Sequence, residues 1–176
     1  MMEAMTLLLS GPDLHALLRT DLLALLRMGM AVLCGLVVGL NRAHHGATPH
    51  PNRLRVHVLV GLSSCLLVLA AGPSPEARSR VIQGVAAGVG FLGAGEILVP
   101  DRAVKHGLPE VRGLSSAASI WFTAALGVTV AASSPVLALV ALALAMITLS
   151  DGDRSPRGRD AAPDPDAAEP SQKRKR

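Results

Sequence analysis

The chain has 176 residues, half of them hydrophobic, and a formal net charge of +4. Charged side chains are nearly absent from several apolar runs of about 17 to 20 residues, the length that crosses a bilayer, and crowd between them. This pattern argues against an ordinary soluble domain and indicates a helical membrane protein. We expect the basic charge to meet lipid headgroups and not nucleic acid. Cys34 and Cys65 lie inside apolar runs, so no disulfide framework is expected.

Five membrane spans are predicted, which makes the fold an all-α polytopic transmembrane bundle. The spans cover residues 22–40, 56–71, 81–99, 114–132 and 136–149. Residues 1–21 are predicted to form an N-terminal interfacial segment, and residues 22–150 to form the transmembrane domain. Residues 151–176 lack hydrophobic periodicity and are predicted to be a disordered basic tail. Ser134 and Pro135 are typical of a helix start and predict where the fifth span begins.

The polar stretches between the spans predict the orientation in the membrane. Residues 41–55 and 100–113 form basic connectors, whereas residues 72–80 form a short turn. Thirteen of the 17 Lys and Arg residues fall on the side that holds both connectors and the tail. The positive-inside rule therefore predicts an external N-terminus and a cytoplasmic tail. Arg27, near the start of the first span, is predicted to reach the headgroups, with a polar pathway as the alternative.

Small residues recur at helical spacing and predict close contacts between helix backbones in lipid. The densest stretch, residues 84–98, contains five glycines and one carboxylate. Its glycines also spell GxGxxG, but without a preceding strand this does not indicate a dinucleotide site. The residues predicted to pack helices together are Gly35, Gly39, Gly84, Gly88, Gly90, Gly93, Gly95, Ser119, Thr123 and Gly127.

Glu96 is the one carboxylate inside a predicted span, and buried carboxylates in membranes are costly unless they are paired or functional. Two explanations for Glu96 therefore remain open. It forms an ion pair with a neighbouring arginine, or it belongs to a site for a cation or a proton. The predicted ion or polar cluster comprises Glu96, Arg42, Arg55, His57, Arg112 and Ser115. One carboxylate is a poor site for Mg²⁺, which favours oxygen ligands in octahedral geometry. The ligands of a metal are unknown from the sequence, because the histidines His44, His45, His50 and His57 lack a fixed metal-binding spacing.

No catalytic constellation is recognisable, so we expect no enzyme activity and no resident cofactor, with Mg²⁺ only as a ligand or transported ion.

Four motifs resemble the MgtC/SapB family of bacterial inner-membrane proteins. They are GLNRA at 39–43, RLRVHVLVG at 53–61, GVGFLGAGEIL at 88–98 and VRGLSSAASIWFTAALG at 111–127. The resemblance implies an inner-membrane helical domain with a role in magnesium homeostasis. It also implies, for some members, inhibition of the F-type ATP synthase. Longer members carry a soluble C-terminal domain, where this chain has its predicted tail. Family members often have an acidic residue at the position of Asn41.

Two functions therefore remain open. The protein moves Mg²⁺ or protons through a site around Glu96, Arg55 and Arg112, or it regulates a partner membrane complex through its small-residue helix faces. The second would include homo-oligomers formed on Gly35 and Gly39 or on Gly84 and Gly88. Membrane lipid is an expected partner in either case.

Overall fold

The computed structural model describes residues 12–45, 52–97, 104–105, 108–109 and 113–151. The helices are α1 (Pro12–His45), α2 (Arg53–Ala70), α3 (Pro75–Glu96), α4 (Leu114–Ala132) and α5 (Pro135–Asp151). Two short antiparallel strands, β1 (Val104–Lys105) and β2 (Leu108–Pro109), lie between α3 and α4. The predicted all-α bundle is confirmed.

Three of the described helices are long and apolar enough to cross a membrane. The apolar stretches are Leu17–His44 in α1, Arg53–Ala70 in α2 and Leu114–Ala132 in α4, and Pro135–Leu149 in α5 is shorter but also apolar. The 22 residues of α3 include Arg78, Arg80 and Gln83 near its start, which lower its hydropathy. With 34 residues, α1 is about 51 Å long and exceeds the thickness of the hydrocarbon core.

Consecutive helices run antiparallel, and α4 lies at the centre, where it contacts the other four helices. The C-terminal ends of α1 and α3 meet the N-terminal ends of α2 and α4 at one end of the bundle, which we call the Arg42 end. Apolar clusters fill the space between helices. In the largest, Cys34 and Val38 of α1 pack with Leu126 of α4 and Leu142 of α5.

Several glycines form the helix contacts that the sequence predicts, because the neighbouring backbone leaves no room for a side chain. A Cβ on Gly35 of α1 would lie 2.8 Å from the carbonyl oxygen of His57 in α2. A Cβ on Gly127 of α4 would overlap the carbonyl oxygen of Gly61 in α2, and Gly93 of α3 faces Ala117 of α4. Close backbone approach through small residues is the usual way in which helices associate in lipid.

The other glycines of α3 differ from this expectation. A Cβ on Gly84, Gly88, Gly90 or Gly95 would meet nothing within 4 Å, so none of them is in close contact with another described helix. The reason is that α3 packs mainly on α4 and touches α2 at few positions. Gly84, Gly88 and Gly95 fall on one side of α3, which we call the open glycine face, whereas Gly90 lies on another side of the helix.

Two predicted connector boundaries are wrong. The helix α1 continues to His45, so Asn41 and Arg42 are helical and buried. The helix α3 begins at Pro75, six residues before the apolar span. Ser74 caps it by accepting a hydrogen bond from the backbone N–H of Ala77 at 3.3 Å. Hydropathy marks where a helix enters lipid, whereas caps and tertiary contacts decide where the helix ends.

The predicted start of the fifth helix is confirmed, because Ser134 accepts a hydrogen bond from the backbone N–H of Val136 at 3.2 Å and α5 begins at Pro135. Residues 12–21, predicted as part of an interfacial segment, continue directly into α1. Residues 1–11 and the predicted tail from residue 152 lie outside the described residues.

Arg27 is positioned by the protein, not by headgroups as predicted. Its Nη1 donates a hydrogen bond of 2.9 Å to the carbonyl oxygen of Ala131 in α4. The last carbonyls of a helix lack intrahelical partners and carry partial negative charge, so a cation there is favourable. Arg27 therefore fastens α1 to the C-terminal end of α4, away from the Arg42 end.

Candidate functional site

Polar side chains gather where α1, α2 and α4 meet near the Arg42 end, all of them buried except the half-buried Arg53 and the exposed Ser115. We call this group the polar cluster. Its members are Asn41, Arg42, Arg53, His57, Ser115, Ser116, Ser119 and Thr123. Polar groups out of contact with water cost several kcal/mol each unless they are hydrogen-bonded, so this arrangement depends on mutual satisfaction.

His57 is at the centre of the polar cluster and is only 2% exposed. Its Nδ1 lies 2.7 Å from the carbonyl oxygen of Arg53, and its Nε2 lies 3.0 Å from Oγ of Ser119 in α4. Ser119 Oγ also lies 2.7 Å from the carbonyl oxygen of Ser116, to which its hydroxyl can donate. Gly39 of α1 lies close to the same residue, since a Cβ there would lie 3.3 Å from the Cβ of His57.

Arg42 links the end of α1 to the start of α4. Its Nη2 donates a hydrogen bond of 2.8 Å to Oγ of Ser115, and the arginine is 8% exposed. The side chains of Asn41, Arg42 and Arg53 also have polar or electrostatic interactions besides those described here. The charges of Arg42, Arg53 and Glu96 all act on the His57 ring. The polar cluster is therefore rich in positive charge and in hydrogen-bond donors.

The structure brings together only part of the predicted ion or polar cluster. Arg42, His57 and Ser115 belong to the polar cluster. Glu96 ends α3 at the Arg42 end and is half-buried, and its carboxylate has no hydrogen bond or ion pair with another described residue. Arg55 is exposed and points away, whereas Arg112 lies outside the described residues.

The pairing of His57 with Ser119 and the role of Arg53 were not predicted. Along α2, His57, Gly61 and Ser64 are buried at spacings of four and three residues, which defines one helix face. Arg53 lies four residues before His57 and shares that face, whereas Arg55 is turned by about 200°. This periodicity was the available signal, but it does not tell which neighbouring helix the face meets.

The polar cluster does not resemble a divalent metal centre. In the part of the chain that the structure describes, no three His, Cys, Asp or Glu side chains are grouped closely enough to hold a metal ion. Mg²⁺ sites use carboxylate and water oxygens, whereas arginine and protonated histidine repel a cation. The polar cluster holds three helices together. It also contains one side chain, His57, that can bind a proton.

A groove between α2 and α3 has a volume of about 360 Å³ and is almost entirely apolar. Gly84 and Gly88 from the open glycine face line it on one side, and Ser63, Ser64 and Leu67 line it on the other. The groove is separate from the polar cluster, although Ser64 lies on the same buried face of α2 as His57. It exposes the backbone of α3 to whatever surrounds the bundle.

The sequence matches the MgtC family over residues 28–154, a range that includes the whole polar cluster. It is 42% identical over 140 residues to SrpB of Synechococcus elongatus, covering 74% of this chain and 75% of SrpB. It is 31% identical over 132 residues to YhiD of Escherichia coli K12, provisionally named a magnesium transporter.

That alignment covers 68% of this chain and 55% of YhiD. The identity to MgtC of Salmonella typhimurium is 31% over 105 residues, covering 59% of this chain and 41% of that protein. The chain thus spans about half or less of these last two relatives, and no solved structure matches it. With most of its length matched and its apolar helices in place, the chain belongs to the MgtC family and is a membrane protein.

Proposed function

We propose that this protein acts in magnesium homeostasis in the bacterial inner membrane by regulating a partner membrane complex and not by conducting Mg²⁺ itself. The link to magnesium rests on family membership and on the name of YhiD. The F-type ATP synthase is one candidate complex, and this candidate comes from the family resemblance alone. A homo-oligomer is the alternative assembly.

The observation that carries the proposal is the charge of the polar cluster. Arg42 and His57 are buried at the junction of three helices, with Arg53 beside them. A Mg²⁺ path through this junction would pass positive charges in a low-dielectric medium, where like charges repel strongly. Glu96, at the end of α3, is an acidic residue near this junction, where the arginines outnumber it. The charges of the polar cluster therefore favour a structural role for it and argue against a path for Mg²⁺.

The helix faces support a regulatory contact through α3. Gly35 and Gly39 already pack against α2, so a contact of α1 with another protein through them would require opening the bundle. Gly84 and Gly88 on the open glycine face remain accessible to a transmembrane helix of the partner. Small residues at that position allow the close backbone approach on which helix association in lipid depends.

We also propose that the Arg42 end faces the cytoplasm, with the N-terminus outside. Arg42, Arg53 and Arg55 lie at that end, whereas Arg78 and Arg80 lie near the start of α3 at the other. A basic excess on one side is typical of the cytoplasmic face. A reporter enzyme that is active only outside the membrane, fused after Arg176, should be inactive, and the same reporter before Met1 should be active.

The test combines transport and association. Purified protein in liposomes that enclose a magnesium-sensitive dye should give the same Mg²⁺ flux as empty liposomes. From cells, the protein should co-purify with a membrane complex, and Gly88→Leu should abolish this association. Gly29→Leu is the matched control, because Gly29 is also an open glycine but lies on α1.

Direct transport is the second candidate, and the half-buried Glu96 is the observation in its favour. Saturable Mg²⁺ flux that Glu96→Gln removes would replace the regulatory proposal with a transporter. Absence of flux together with absence of any co-purifying complex would contradict both mechanisms.

A further inference from the structure

The hydrogen bonds of His57 constrain where its protons are. A carbonyl oxygen carries no hydrogen, so the 2.7 Å contact with Arg53 requires that Nδ1 of His57 be protonated and donate. The neutral imidazole has only one N–H. When His57 is neutral, its Nε2 is therefore an acceptor, and the Nδ1–H tautomer is fixed by the backbone of α2.

Ser119 completes this arrangement because it has one hydroxyl proton and two partners. Its Oγ lies 3.0 Å from Nε2 of His57 and 2.7 Å from the carbonyl oxygen of Ser116. If His57 is neutral, Nε2 keeps its hydrogen bond only when the Ser119 hydroxyl donates to it. If His57 is charged, Nε2–H donates to Ser119 Oγ, and the hydroxyl proton is free to donate to Ser116. The same heavy-atom positions fit both patterns.

We propose that His57 is a reversible proton-binding site, and that proton uptake turns the Ser119 hydroxyl from His57 to the Ser116 carbonyl, so that the α2–α4 contact responds to pH. A hydronium ion at the Arg42 end gives its proton to Nε2 and becomes water, while the Ser119 hydroxyl only rotates. No other covalent bond is made or broken. This function is independent of magnesium and goes beyond the proposed regulatory role.

The surroundings of His57 suit such a site. Among the described residues, the charged groups that act on the ring are Arg42 from α1, Arg53 from α2 and Glu96 from α3. The contact from α4 is the Ser119 hydroxyl. His57 lies one turn inside the first residue of α2, about 6 Å along the helix axis, so protons have a short way to travel.

Nitrogen NMR of the full chain, labelled with ¹⁵N-histidine and reconstituted in lipid bilayers, tests the proton positions directly. The chain has six histidines, and His57→Gln identifies the signals of His57. We expect a protonated Nδ1 and a bare Nε2 at the alkaline end of the titration, and two protonated nitrogens at the acidic end. A neutral form protonated on Nε2 would overturn the proposal, and so would His57 signals that stay the same throughout the titration.

Trp121 tests the coupling to α4, because it is the only tryptophan and lies two residues after Ser119. Its fluorescence should change with pH in step with the His57 nitrogen signals, and His57→Gln should abolish the change. His44→Gln is the matched control and should keep it, because His44 also bonds the carbonyl four residues earlier but is exposed. A fluorescence change that persists in folded His57→Gln protein would overturn the coupling.

If His57→Gln fails to fold, as judged by circular dichroism, Ser119→Ala carries the test. It should abolish the Trp121 response while the His57 nitrogens still titrate. Ser63→Ala should leave the response intact, because the Ser63 hydroxyl bonds to carbonyls of its own helix, those of Leu59 and Val60. A Trp121 response that is unchanged in Ser119→Ala would overturn the switch.

Discussion

At the scale of single residues, the bundle depends on where side chains are missing as much as on where they are present. His57 is covered by α1 because Gly39 has no side chain, and α1 approaches the backbone of α2 because Gly35 has none. In lipid there is little hydrophobic force between helices, so contact distance decides how well they associate.

Gly35→Ala should therefore destabilise the fold although alanine favours helices. Its Cβ would lie 2.8 Å from the His57 carbonyl oxygen and from the Val58 Cα, both of them backbone atoms. We expect a loss of about 1–3 kcal/mol, typical of overpacking, measured as reduced resistance to unfolding in detergent. Gly29→Ala is the control and should be neutral or slightly stabilising, because its Cβ meets nothing within 4 Å. Equal losses in both variants would contradict this explanation.

The Arg42–Ser115 hydrogen bond gives a second residue-scale prediction. Arg42→Met leaves the Ser115 hydroxyl without this donor, and Ser115→Ala leaves Nη2 without this acceptor. In a double-mutant cycle the two changes should couple by about 0.5–3 kcal/mol, as expected for residues in contact. Arg42→Met combined with Ser79→Ala is the control and should be additive, since Ser79 contacts Gln83 within α3. Additive behaviour of the first pair would show that the hydrogen bond contributes nothing to stability.

At the scale of the element, caps and not hydropathy decide where α3 begins. Ser74 accepts from the Ala77 N–H, and its hydroxyl donates to Glu76 Oε2 at 2.8 Å. Hydrogen bonds from its own backbone N–H and from Ser74 lower the pKa of Glu76. A lowered pKa means that the charged form stabilises the helix start. This stabilisation is present above the pKa of the unfolded chain and is lost as pH falls through the lowered value.

Ser74→Ala should loosen the first turn of α3 by about 1 kcal/mol, the usual effect of losing an N-cap. Hydrogen exchange read by mass spectrometry should be faster in the first turn of α3 and unchanged in α5. Ser79→Ala, an exposed serine inside the same helix, should leave this exchange unchanged. Acidification should produce a similar loosening in the natural sequence but not in Glu76→Gln. Unchanged exchange in Ser74→Ala would mean that Pro75 alone sets the helix start.

At the scale of the whole molecule, α4 holds the bundle together, and α3 is attached mainly through it. Gly93 of α3 faces Ala117 of α4, whereas Gly84 and Gly88 of the open glycine face border the groove between α2 and α3. The rotation of α3 about its axis therefore decides which of its glycines contact α4 and which remain available for contact with another protein.

Cysteine cross-linking tests this rotation. A Cβ on Gly93 would lie 3.6 Å from the Cβ of Ala117, which fits a disulfide. With the buried cysteines Cys34 and Cys65 replaced by alanine, Gly93→Cys with Ala117→Cys should lose both free thiols on mild oxidation. Gly95→Cys with Ala117→Cys should keep them, because a Cβ on Gly95 meets nothing within 4 Å. Cross-linking of the Gly95 pair and not the Gly93 pair would show that α3 is rotated differently.

The sequence by itself determined the membrane class, the apolar helices and the family, because hydropathy, helix caps and motifs are local properties. It also indicated that Arg42, His57 and Ser115 belong together. Only the tertiary structure decided that Ser119 is the partner of His57 and that most glycines of α3 make no close contact with another described helix. These outcomes depend on which helix faces meet. In lipid that choice is made by the fit of backbones and by buried hydrogen bonds between residues far apart in the chain, which no local pattern records.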